Sequence, residues 1–134
     1  VWPTPLIWNK GNGMLPKPEH GPRRTYEMIL FATKGDSKVL KVAPDVITCP
    51  LVIERDHGAQ KPVLLYTELL SRSALPGNTV LDLFAGSGTI FPAANKLKVV
   101  ATACEISENY HNLALSRIDS TEDLADILPG DLLL

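Results

Sequence analysis

The 134-residue chain has no apolar run approaching the ~20 residues that a membrane-spanning helix requires. It holds only two cysteines, Cys49 and Cys104, too few for a disulfide framework. Both lie in apolar stretches, so the expectation is two buried, reduced thiols in a cytoplasmic protein. No Cys/His group has metal-ligand spacing, so no metal is expected. There is no internal repeat and no secretory signal. Val1 is not an initiator Met, and the sequence reads as a piece of a longer chain. One-sided charge is also lacking: 13 Lys and Arg face 15 Asp and Glu. The signs are nevertheless unevenly spread. Residues 1–67 carry nine cations and six anions, and residues 68–134 carry four and nine. If either half faces a polyanion, it is the first.

What is present is organised around Val80 to Thr89, Val-Leu-Asp-Leu-Phe-Ala-Gly-Ser-Gly-Thr. Val80, Leu81, Leu83 and Phe84 suit a covered parallel strand. Gly86 and Gly88 allow a sharp turn and a close ligand. A helix from Thr89 to Asn95 would aim free N–H groups at that turn. The apolar run Val99 to Cys104 reads as a second strand, ending at Glu105. A carboxylate there can accept hydrogen bonds from both hydroxyls of a ribose. Two alternatives fail on spacing. A dinucleotide fingerprint needs Gly or Ala where Phe91 stands, which disfavours an NAD-type domain. A P-loop needs a Lys after Gly88, where Thr89 stands.

Three separated motifs then resemble one family in its own order. They are His57-Gly-Ala-Gln60-Lys61-Pro62, then Pro76-Gly77 through Asp82-Leu-Phe84-Ala-Gly86-Ser-Gly88-Thr89, then Glu105-Ile-Ser-Glu-Asn-Tyr110 with Arg117-Ile118. Together they are similar to the C-terminal, cofactor-binding half of a β-type, circularly permuted DNA adenine-N6 or cytosine-N4 methyltransferase. The resemblance runs from about Leu6 to Ile118. It implies S-adenosylmethionine as cofactor, DNA as partner and restriction-modification as setting. The implied fold is α/β: a partial Rossmann-like methyltransferase fold, with a mixed sheet flanked by helices. It also implies cofactor contacts from Asp82, Phe84, Ala85, Gly86, Ser87, Gly88, Thr89 and Glu105. His57, Lys61 and Pro62 would form a wall of the same pocket, with Lys61 near the methionine carboxylate.

The remaining sequence divides into residues 1–56 (edge strands and a basic loop), 57–118 (the cofactor half) and 119–134 (a short helix and tail). Leu6-Ile7-Trp8 and Tyr26 to Ala32 read as strands, and Val39 to Val42 as a short returning strand. Lys10 to Pro22 is a Gly- and Pro-rich loop. Lys10, Arg23 and Arg24 are candidate DNA-phosphate contacts, with solvated surface cations as the alternative. Trp8 could stack on a base, but core packing suits a strand Trp better. Ala43 to Asp56 reads as irregular. Helices are expected over Gln60–Ser73, with Pro62 in its first turn, and over Glu108–Ile118, capped by Ser107.

One absence becomes meaningful only now. Amino-methyltransferases of this kind hold the target base with Asp/Asn/Ser-Pro-Pro-aromatic, and this chain contains no Pro-Pro. In the permuted order that motif would precede Trp8, together with two central strands. No catalytic residue is therefore assigned. The chain reads as a fragment, inactive alone, whose sheet lacks strands that the catalytic half or a second copy would supply. The other reading is a non-enzymatic DNA- or protein-binding module.

Overall fold

A computed structural model describes residues 1–11, 19, 21–52 and 60–119. His57, most of the Gly/Pro-rich loop and the expected C-terminal helix lie outside the described residues. Among the described residues there are two sheets. The first has strand order β2-β1-β3, from β1 (Leu6–Asn9), β2 (Tyr26–Ile29) and β3 (Val46–Thr48). β2 lies antiparallel to β1 with Trp8 opposite Glu27, and β3 lies parallel to β1 with Trp8 opposite Ile47. After α1 (Val63–Ser71), the second sheet pairs β4 (Thr79–Asp82) in parallel with β5 (Val100–Ala103). Helix α2 (Ile90–Leu97) connects those two strands, and α3 (Glu108–Asp119) follows β5. This is the βαβ arrangement expected around the glycine turn.

Three expectations need correction. Val39 to Val42 forms no strand; the Leu40 N–H instead donates to the Arg72 carbonyl at 2.7 Å, beyond the end of α1. The strand lies at Val46–Thr48, within the stretch read as irregular. Three residues between Pro44 and Pro50 are too few to display a period. Cys104 is exposed at the end of β5, and only Cys49 is buried.

The first sheet and α1 share a core of Trp8, Ile47, Cys49 and Leu65, with Ile29, Leu51, Leu64 and Leu69 packed against it. Trp8 is 1% exposed, and its indole N–H donates to the Cys49 carbonyl at 2.7 Å. It is thus a core residue rather than a surface stacking platform. Helix α1 starts at Val63 rather than Gln60, and Pro62 stands before its first turn rather than in it, because its extended backbone (ψ 141°) is not helical. Helix α2 buries Ile90, Pro92, Ala93 and Ala94. It ends at Lys98, which adopts a left-handed φ of 56° without being glycine.

Candidate functional site

The turn after β4 is built by backbone hydrogen bonds. Ala85 N–H donates to the Cys104 carbonyl at 2.9 Å, Gly88 N–H to Ala85 at 2.9 Å and Phe91 N–H to Gly88 at 3.0 Å. Gly86 and Gly88 both take positive φ, 54° and 76°, where side chains with a Cβ are strained. Gly88 has a second reason to be glycine. A Cβ there would stand 2.7 Å from both Cα and Cβ of Ala114 on α3. Its missing side chain makes room for the protein's own helix.

The acids shape this turn. Asp82 Oδ1 accepts the Phe84 N–H at 3.0 Å, and Tyr66 O–H reaches its Oδ2 at 3.5 Å. Burial, then the Asp82 charge and hydrogen bond, push the Tyr66 phenol up to about 12. Glu105 spans the tips of both strands: Oε2 accepts the Gly86 N–H at 2.7 Å and Oε1 the Ser107 N–H at 2.9 Å. These two bonds fix the orientation of the carboxylate. Two large apolar side chains near the turn in sequence are open to solvent, Phe84 at 87% exposure and Ile106 fully exposed. Beneath the turn, Ser87, Thr89 and Arg117 are buried. Arg117 Nη1 lies 3.5 Å from Ser87 Oγ, and Thr89 Oγ1 donates to the Lys61 carbonyl at 3.1 Å. That last bond ties the N-terminal approach of α1 to the turn.

Lys61 and Lys10 meet elsewhere, at Glu27. Lys61 Nζ lies 2.8 Å from Glu27 Oε2, and Lys10 Nζ lies 3.2 Å from Oε1. Burial alone would raise the Glu27 pKa, but its bonds and charge interactions with Lys61 and Lys10 outweigh this and lower it. Lys10 is only 12% exposed, whereas Arg23 and Arg24 are exposed residues. The structure therefore groups Lys10 with Lys61 rather than with the two arginines. Sequence reasoning gave no site role to Glu27, Tyr66, Ile106 or Arg117. Arg117 stood in the third motif of the family resemblance without a role, and nothing in the sequence linked Glu27 to Lys61. A mostly apolar cavity of about 530 Å³ lies between the first sheet and the far end of α1, lined by Trp2, Ile29, Phe31 and Leu69 among others. None of the glycine-turn residues lines it.

A parallel strand pair, a glycine turn and a carboxylate at the second strand's tip define the nucleotide-binding portion of a Rossmann-like methyltransferase fold. Comparison with solved structures agrees. The chain superposes on the M1.HpyAVI–SAM complex with a TM-score of 0.74 at 25% identity, covering 87% of this chain and 62% of that one. The cytosine-N4-specific PvuII DNA methyltransferase gives a TM-score of 0.74 at 14% identity, covering 91% and 53%, and supports the fold alone. A family model described as DNA methylase, of the N6/N4 type, matches residues 41–116, and the chain belongs to that family. It is 35% identical over 95 residues to the type II methyltransferase M.MwoI of Methanothermobacter wolfeii, across 69% of this chain and 14% of that protein. It is 28% identical to M.SmaI of Serratia marcescens, across 86% of this chain and 45% of that protein. The chain thus spans less than half the length of either of these relatives.

Proposed function

We propose that this chain is the S-adenosylmethionine-binding portion of a DNA amino-methyltransferase acting on adenine or cytosine. The observation that carries the reading is the Glu105 carboxylate at the tip of the second strand, fixed by the Gly86 and Ser107 N–H groups. A carboxylate at the tip of the second strand suits a ribose diol, and exposed apolar side chains near the turn suit an adenine ring. Lys61 would receive the amino-acid carboxylate. When bound, the cofactor supplies an electrophilic methyl group. This chain orients the nucleoside but has no Pro-Pro motif to hold a target base, so it transfers no methyl to DNA by itself. Exposed Arg23 and Arg24 would meet DNA phosphates, and Lys10 serves Glu27 instead. The missing motif also leaves a second reading, a binding module without catalysis.

Calorimetry on the 134-residue chain tests the assignment. Heat is expected with S-adenosylhomocysteine and none with NAD. Glu105→Ala should weaken the former roughly tenfold or more, the loss of a charge-assisted hydrogen bond pair. Gly86→Val should abolish it, because the turn needs φ near 54°. Heat with NAD alone, or with neither compound, would reject the reading.

A further inference from the structure

Glu27 lies outside the glycine turn, yet it organises one of the turn's proposed contacts. Lys61 is joined to the turn by its backbone, through the 3.1 Å bond from Thr89 Oγ1 to its carbonyl. Its side chain leads from there to the first sheet. Nζ donates to Glu27 Oε2 at 2.8 Å and stands 5.2 Å from the centroid of the Trp8 ring. Lys10 Nζ takes the other oxygen at 3.2 Å and stands 5.7 Å from the same centroid. The ring beneath them is fixed by its own bond to Cys49. Two ammonium groups therefore share one carboxylate over one immobile indole, leaving one positive charge in excess. The Lys61 side chain is the more open, 34% exposed against 12% for Lys10, so it is the one able to meet a ligand. An ammonium has three N–H donors, and Glu27 occupies one of them on Lys61. A lysine already held in place loses less rotamer freedom on binding than a free one.

Resting on the reading that the turn binds S-adenosylmethionine, we propose that Glu27 is a positioning residue. Supported by Lys10 and Trp8, it holds the Lys61 ammonium ready for the carboxylate at the amino-acid end of the cofactor. Glu27 acts through Lys61 and does not itself touch the ligand. Lys10 offsets the charge of Glu27, so an arriving carboxylate meets a net cation rather than a neutral pair.

Two probes separate this role from a general structural one. S-adenosylhomocysteine carries the amino-acid carboxylate, and 5′-methylthioadenosine lacks it. In calorimetry, Glu27→Gln should weaken the first by about three- to tenfold and leave the second unchanged. Lys61→Met should do at least as much, and adding Glu27→Gln to it should cost nothing further. Thermal melting of each variant confirms that it is folded. Equal weakening of both probes by Glu27→Gln would overturn the inference. So would an undiminished Glu27→Gln effect in the Lys61→Met background. Failure of the unaltered chain to bind either probe would instead reject the cofactor reading, and this inference with it.

Discussion

At the scale of single residues, the two glycines of the turn are not equivalent. Both require left-handed backbone, but Gly88 is also wedged against Ala114 of α3. Spacing alone made both look like ligand-facing positions. It could not reveal a contact with a residue 26 positions further on, because that contact exists only once α3 has packed. We expect Gly88→Ala to destabilise the fold by about 2–4 kcal/mol, combining a left-handed Cβ penalty with overpacking. Urea unfolding measures this as a lower midpoint at unchanged slope. Lys10 and Lys61 teach the same lesson. Lys10 reads from the sequence as a candidate phosphate contact or a solvated cation, and the family resemblance implies that Lys61 meets the cofactor. Strand pairing brings them to one carboxylate, and no local pattern encodes that pairing.

At the scale of elements, the βαβ unit was legible because each part has strong local grammar: an apolar strand, two glycines, an amphipathic helix, a second strand. What failed was short or lacked contrast. β3 has three residues, and Val39 to Val42 is apolar apart from Lys41 but has no strand partner among the described residues. Helix α1 was foreseen, though not that its Tyr66 would reach Asp82 at the end of β4. That contact predicts a pH effect. Burial and the neighbouring carboxylate push the phenol up to about 12, so the fold favours its neutral form. The contribution to stability is intact below the ordinary tyrosine pKa of about 10 and is lost as pH rises towards 12. Tyr66→Phe should flatten the alkaline limb of stability between those values, as measured by denaturant midpoints across pH. An unchanged limb would show that Tyr66 does not couple to folding.

At the scale of the whole molecule, the two sheets stay separate among the described residues, and helix α1 links them. It buries Leu65 in the Trp8 core on one side and packs along α2 on the other. Leu65→Ala should therefore lower amide hydrogen-exchange protection in β1 and β4 alike, by about 2–5 kcal/mol. Protection lost in β1 alone would mean that the sheets hold independently. Parallel strands are ordinarily covered on both faces, yet Leu81 and Val100 stand more than half exposed. Among the described residues no main-chain ladder bridges the two sheets. A strand added between them would therefore break no existing inter-strand bond of its host.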